Sequence, residues 1–507
     1  MGLAAVTSRA LNGIESPVVS VEVHVSNGLP SLSIVGLPET SVKESKDRVR
    51  SAILSSGFIL PPKRITVNLA PADLPKSGGR YDLPIAIGIL VATGQLEAPQ
   101  ISEYELLGEL GLNGAVRGIK GALPSLLAAR SQQHRCILPL ENLDEAVLSL
   151  TDELAPHFVL VKDLREVCRV LMGERITQPD LKPHSADADK LYPFDLSDVV
   201  GQLQAKRVLE VCASGHHSLI MIGPPGSGKS MLASRLVTLL PDLNQLEAIE
   251  TATIKSISGQ DFGGADFYQR PFVSPHHTAS AAAIVGGGAY PKPGAVSLSH
   301  NGVLFLDELP EFNRGVLEAL REPLETKSVD ISRVNQQVSF PADCLLVTAM
   351  NPSPSGYFAD DSLGRCRDTP DQIHRYQRKI SGPLLDRIDL HLEIPAVDIA
   401  DLQAKETYGE TSAEVQQRVV ATRERQYKRQ GCLNSMLTPE NLKKLILLDV
   451  TCSKILEQAV TKLGLSARAY HRILRISRTL ADMEGSDDVS SKHIAEALGY
   501  RSLDRMN

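Results

Sequence analysis

The sequence predicts a multi-domain α/β protein, and three observations carry that prediction. At 507 residues the chain is too long for one ordinary core, and at roughly 100–200 residues per domain it should divide into about three. Two short apolar runs, Leu219-Ile220-Met221-Ile222 and Val303-Leu304-Phe305-Leu306, read as buried strands, each leading into a polar stretch suited to chemistry. From 397 onward the pattern is helical: SAEVQQRVVATRERQYKRQ, SKILEQAVTKLG, SARAYHRILRISRTLADMEG and SSKHIAEALGYRS follow one another, with Ser466, Ser490 and Ser491 placed as N-caps and Gly464 and Gly485 as stops.

The first apolar run continues as Gly223-Pro224-Pro225-Gly226-Ser227-Gly228-Lys229-Ser230 and then as the helix-like MLASRLVTLL. A glycine loop between a strand and a helix offers backbone N–H groups and a helix dipole to phosphate oxygens, so these eight residues read as a P-loop for ATP. Lys229 then reaches the β- and γ-phosphates and Ser230 holds Mg²⁺. The second run ends in Asp307-Glu308, where Asp307 completes the Mg²⁺ shell and Glu308 polarises the attacking water. A carboxylate meeting solvent explains either acid alone, but less well the pair following a P-loop.

Composition narrows the partners. A net charge of −7 gives no bulk basic field, so nucleic acid must be held by a local patch or channel. With 4% aromatics and no tryptophan, base-stacking platforms are not expected to dominate. Seven scattered cysteines without a C-x-x-C pair favour reduced thiols in a cytoplasmic protein, and no run of about 18 apolar residues suggests a membrane span.

In chain order, residues 1–173 read as an α+β domain. VVSVEVHVS and SLSIVGL flank Asn27-Gly28 as an expected hairpin; Ser41 to Ser56 is helical, RITVNL a strand and LPIAIGILVATG an apolar helix. Residues 174–192, rich in Pro, Ser, Asp and Lys, form the expected linker. The core spans 193–396 and contains an unusual Gly- and Pro-rich insert, 258–300, with His276-His277-Thr278, Gly286-Gly287-Gly288 and Lys292. Adjacent histidines point in different directions, so polar packing or substrate contact is expected of them before metal binding.

The first domain, through the loop and helix around Lys76 to Leu90, resembles the ribosomal-protein-like fold shared by Lon-type proteases and the RadA recombination ATPase. Lys120 matches the Lon lysine, but Gly79-Arg80-Tyr81-Asp82 stands where a nucleophile belongs, which implies a non-proteolytic module in which Lys76, Arg80 and Lys120 are candidates for a ligand. GPPGSGKS, PFVSPHHTAS, GGGAYPKPGAVSLSHNGVLFLDE, TAMNP, ISGPLLDRIDLHLEIP and LSARAYHRILRISRTLADME together resemble the bacterial magnesium-chelatase-like AAA+ family. The resemblance implies a core of the helix-2-insert type, a helical lid over 397–507, and adenine cradled near Val200. It also makes Asn351 the γ-phosphate sensor, Arg387 an arginine finger given to a neighbouring subunit, and Arg468 a second sensor. A salt bridge from Arg387 to Asp386 or Asp389 is the structural alternative.

One group within this family is regarded as hexameric helicases that promote branch migration during natural transformation. The resemblance therefore implies an ATP- and Mg²⁺-dependent ring that binds single-stranded and branched DNA; the alternative is a chelatase-type or protein-remodelling ATPase. Lys327 and Arg333, on the hairpin from Lys327 to Phe340, and Lys292 are the DNA-contact candidates. Many relatives carry paired cysteines with the look of a zinc site. Here Ser353-Pro354-Ser355, Cys366 and Asp368 stand there instead, so no zinc is expected.

Overall fold

The computed structural model describes residues 2–150, 156–181, 192–260, 266–288, 291–333, 336–357, 366–395 and 409–501. Most of the expected linker and the start of the expected lid, 397–408, lie outside them. The chain forms two compact units, the first built from residues 1–189, 245–268 and 332–340 and the second from 190–244, 269–331 and 341–507.

The first unit is organised on a seven-stranded mixed sheet in the order β3-β4-β2-β1-β5-β8-β9. Its strands are β1 (Gly2–Arg9), β2 (Val18–Ser26), β3 (Ser31–Val35), β4 (Arg64–Ala70), β5 (Tyr104–Leu106), β8 (Arg135–Pro139) and β9 (Phe158–Val161), with β6 (Glu109–Leu110) and β7 (Val116–Arg117) as a separate ribbon. Val19, Val21, Val23 and Val25 alternate along β2 and are all buried, as a strand with one face on a core requires. The helix Asp82–Ala92 packs over β1 and β2. Its Gly88 permits the approach: a Cβ there would lie 2.6 Å from Val23 Cγ2.

The expected β2–β3 hairpin does not form. β2 pairs antiparallel with β1, Arg9 facing Val18, and with β4 on its other edge, while β3 runs parallel to β4. β4 brings Ile65, Val67 and Leu69 opposite Val25, Val23 and Val21, a longer buried match than β3 offers. The helix Gln245–Ser258 also differs from expectation. It belongs to the first unit, where Gly121 N donates to Ser256 O at 3.1 Å and the Ser256 hydroxyl bonds Glu145.

The second unit contains a five-stranded parallel sheet, β11 (Phe272–Val273), β14 (Val303–Leu306), β17 (Leu345–Met350), β10 (Leu219–Ile222) and β18 (Leu390–Glu393), in that spatial order. Every residue of β10, β14 and β17 is buried, which accounts for runs that are apolar without alternation. Helices Leu203–Gly215 and Lys229–Leu239 contribute Val208, Leu209, Leu232 and Leu236 to a core that also holds Leu219 and Val347. Helices Ser412–Gln430 and Ala467–Met483 add Val419, Ile473 and Leu480 to that same core rather than building one of their own. A small ribbon, β12 (Gly286–Gly287) with β13 (Lys292–Pro293), belongs to this unit, and a second, β15 (Ser328–Arg333) with β16 (Gln336–Pro341), has its residues 332–340 grouped with the first unit.

Candidate nucleotide site

Strand β10 ends at the carboxyl edge of the sheet between β17 and β18, and from there the chain crosses to β11 at the far edge. Such divergence opens a crevice at the strand ends, where open parallel sheets bind ligands. Residues 223–228 fill the turn, with Gly226 and Gly228 at φ of 78° and 86°, left-handed values that side chains resist. At Gly223 a Cβ would sit 2.4 Å from the Ile394 carbonyl oxygen.

The expected side chains converge on the helix start. Lys229 Nζ donates to Gly223 O at 2.7 Å, Pro224 O at 2.9 Å and Asn351 Oδ1 at 3.1 Å. Burial pulls the Lys229 pKa below the ordinary lysine value, with Asp307 and Glu308 acting against it. Ser230 Oγ donates to Asp307 Oδ2 at 2.6 Å. Together with Pro225 to Met231, Asp307, Glu308 and Asn351 line a cavity of about 350 Å³. The buried Ser227 hydroxyl has no partner among the described residues, and left-handed glycines, a confined ammonium and an orphaned hydroxyl on a helix start suit a phosphate chain. The Ser230–Asp307 oxygen pair likewise suits Mg²⁺, a hard cation that takes oxygen ligands. Val200 is half-buried and is not among the lining residues.

Two features here were not legible in the sequence. Glu308 has φ of 53° and its side chain is 51% exposed, yet His277 Nδ1 reaches its Oε2 at 3.0 Å, so one of the paired histidines meets the site. Gln202, also left-handed at φ 53°, sends Nε2 to Ser227 O at 3.3 Å and so touches the loop from upstream.

Arg387 and Arg468 are elsewhere. Both line a second cavity of about 610 Å³, also bordered by Glu325, Lys327 and His471 and sharing no lining residue with the first. The partner of Arg387 is Glu325, not the flanking Asp386 or Asp389. Asp389 is taken up instead by Ser218, by Arg472 at 3.4 Å and by His217 at 3.5 Å; burial opposes its charge, but His217, Arg472 and Arg475 hold its carboxyl well below the usual range.

Comparison with known proteins identifies the assembly of parts. Residues 195–402 match the family described as magnesium chelatase, subunit ChlI, residues 21–142 match subunit ChlI of Mg-chelatase, and residues 409–501 match its C-terminal region. The competence protein ComM of Haemophilus influenzae is 48% identical over 509 residues, covering 100% of this chain and 99% of that one. The chain belongs to the magnesium-chelatase-like AAA+ family that includes ComM and YifB. The Escherichia coli (strain K12) YifB protein is 49% identical over 508 residues, 100% of this chain and 98% of its own. An MCM-type protein of Methanocaldococcus jannaschii shares 26% identity over 172 residues, 34% of this chain and 19% of its own.

Within this magnesium-chelatase-like chain the remaining candidates divide. Lys292 is exposed on β13, Lys327 forms an ion pair with Asp343, and the side chain of Arg333 lies outside the description. Lys327 is thus not the free cation expected at the hairpin's start, because Asp343, beyond the hairpin's other end, claims its ammonium. Lys76 and Arg80 are 0% and 4% exposed, and both spend their donors on the backbone: Lys76 on Pro71 O, Arg80 on Arg9 O and on the Lys120 carbonyl. Neither side chain offers an exposed surface to a ligand, and their donors are committed within the first unit. His276 Nδ1 pairs with Thr278 Oγ1 at 2.8 Å, and among the described residues no group of three His, Cys, Asp or Glu converges as for a metal. In place of paired thiolates, Ser355 N donates to Asp368 Oδ2 at 2.8 Å and the Ser353 and Ser355 hydroxyls lie 3.2 Å apart. Among the described residues no helix is long and apolar enough to cross a membrane.

Proposed function

We propose that this protein is an ATP-driven DNA motor that works as a ring, probed most naturally as a hexamer, and promotes branch migration of recombination intermediates. One observation carries the ring: Arg387 and Arg468 share a cavity that has no lining residue in common with the P-loop cavity. An arginine finger acts on transition-state charge at a phosphate, so these two side chains are suited to the nucleotide of a neighbouring copy. In each P-loop cavity Lys229 binds the β- and γ-phosphates, Glu308 polarises the attacking water and Asn351 orients it. Ser230 and Asp307 hold Mg²⁺, which supplies neutralisation of phosphate charge. ATP, Mg²⁺ and DNA are the ligands of this reading. The DNA assignment draws on the competence relative, with Lys292 on one ribbon and Arg333 on the other as phosphate contacts.

Mixing two inactive variants tests the ring. Lys229→Ala and Arg387→Ala subunits combined should regain part of the wild-type ATPase rate, because a mixed ring contains interfaces where an intact loop meets an intact finger. No recovery at any ratio, with mixed rings seen by electron microscopy, rejects the shared site. Branched DNA should raise the wild-type rate severalfold and Arg333→Ala should lower the salt dependence of DNA binding; a rate indifferent to DNA favours the chelatase-type or remodelling motor.

A further inference from the structure

The second cavity is built to receive an anion. Five permanent cations line it against two carboxylates; Lys327 is already paired with Asp343, and Asp389 is committed to Ser218, His217 and Arg472, so that Arg468 and Arg475 are the lining cations without an ion pair among the described residues. Arg468 is exposed and has no hydrogen bond or ion pair among the described residues. The Arg387 guanidinium is half engaged: Nη1 donates to Pro383 O at 2.6 Å, Nη2 meets Glu325 Oε1, and Nε is buried without a partner among the described residues. A planar fork with a donor to spare, set in a basic pocket, has the geometry for bidentate binding of a phosphate.

Glu325 occupies that fork now, and loosely. Its side chain is 56% exposed whereas that of Arg387 is 12% exposed, and an ion pair with one partner in solvent holds weakly. A phosphate brings more charge and more acceptor oxygens to the same donors. The position of Glu325 in the chain adds a mechanical link. It lies in the last turn of the helix Arg321–Thr326, two residues before Lys327, whose φ of 61° turns the chain into β15. Lys327 in turn is tied to the far end of the β15–β16 hairpin, through the ion pair with Asp343 and through Ala342 N to Lys327 O at 2.8 Å. A displacement of the hairpin's base therefore moves the segment that carries Glu325.

We infer that Glu325 is a placeholder anion on Arg387, displaced by a phosphate of a nucleotide polyphosphate presented by a second copy of this chain, and that the β15–β16 hairpin controls its release. The inference rests on the reading of Arg387 as a finger for the neighbouring site. It makes Glu325 a positioning residue: while it holds Arg387 the finger is withheld, and a polyanion drawing on the hairpin frees it.

The direct probe is inorganic tripolyphosphate bound to the full chain carrying Lys229→Ala, which silences the P-loop. Calorimetry should show Glu325→Gln tightening that binding roughly fivefold, the scale of a weak ion pair, and Arg387→Ala abolishing it. In the otherwise native protein Glu325→Gln should lower the protein concentration at half-maximal ATPase rate by a similar factor, raise the DNA-free rate and shrink the stimulation by branched DNA. Glu325→Gln binding tripolyphosphate as the parent does, with DNA stimulation intact, overturns the placeholder. Should Glu325→Gln perturb folding, Glu325→Asp gives the second measurement: a shorter acid that cannot span to Arg387 should act like the Gln variant. If instead Arg387→Ala keeps the wild-type ATPase rate, the finger reading itself fails, and the placeholder with it. Inactive Arg387→Ala beside an unaltered Glu325→Gln rejects the placeholder alone.

Discussion

The P-loop cavity and the polar centre of the first unit both concentrate charge in little space, and they differ in how much of that charge is answered from within. In the first unit Arg9 and Glu105 are 1% and 0% exposed. Arg9 donates to Glu105, to Ser16 O and to Gln132 Oε1, both at 2.7 Å, while Glu105 also takes His134 Nδ1 at 2.9 Å. Nearby Asp82 receives Ser45, Arg48 Nε at 2.6 Å and Leu110 N at 3.2 Å. In the P-loop cavity, by contrast, the Ser227 hydroxyl is unanswered among the described residues, Glu308 is half exposed, and the Lys229 ammonium rests on neutral acceptors. Buried charge that is fully answered is structure. Charge with binding capacity left over, facing a cavity, is ready for a ligand.

The contrast can be broken by substitution, and the largest effect belongs to the cavity. Lys229→Ala should weaken ATP binding on the order of 100-fold by removing a charge-assisted contact. Glu308→Gln should bind ATP within a few-fold of wild type and lose about 10²–10⁴ in turnover, because the water is no longer polarised. Filter binding of a slowly hydrolysed analogue beside steady-state hydrolysis separates the two, and equal loss of binding in both would contradict the division of roles.

A comparable free energy, spent differently, is expected in the first unit. Glu105→Ala strands the buried Arg9 guanidinium and should cost about 3–5 kcal/mol of stability in urea unfolding. Nucleotide affinity at the P-loop should stay as it was. A Glu105→Ala protein that unfolds like wild type would mean that this charge pair is not answered from within after all.

His216 sharpens the comparison at a smaller scale, being half-buried and beside a cavity. Burial holds its pKa down at about 4, with Lys327 and Arg423 adding to the effect and Asp343, 3.7 Å away, opposing it. The depressed value means that the unfolded chain takes up a proton near pH 6.5 while the folded chain does not until about pH 4. Stability on this account is complete above about 6.5 and is lost as pH falls, by roughly 2 kcal/mol at pH 5. His216→Asn, which tolerates the φ of 58° as few residues do, should flatten this part of the pH dependence in thermal unfolding. His391 is shifted the same way by burial, so a residual slope is expected. An unchanged slope would show that His216 takes up its proton equally in both states.

How much of this was legible before the structure depends on the distance over which the information is written. The stretch from Gly223 to Ser230 declares itself because the loop's left-handed glycines, the following helix and the preceding strand are consecutive, and their backbone chemistry needs no distant partner. Asp307 and Asn351 follow from the same logic, since each ends or follows an apolar strand and parallel strands bring their ends to one edge. The alternation in β2 likewise shows a half-buried strand, but nothing local says that its neighbours are β1 and β4 rather than β3. Partner choice is settled by which long-range match buries more apolar surface, a competition among segments that no single window contains. The same reason hid the contact of His277 with Glu308. It also hid the docking of helix Gln245–Ser258 in the first unit, and it made Asp386 and Asp389 look like the natural partners of Arg387. Residues close in sequence point in different directions at a helix end, whereas Glu325, some sixty positions away, is carried to the guanidinium by the fold. Sequence by itself determined the strand-loop-helix that can cradle phosphate and the acids and amide that can join it. Tertiary structure alone decided which charges were consumed in pairs and which kept capacity for a ligand, because pairing is a matter of distance in space and of what else competes for each donor.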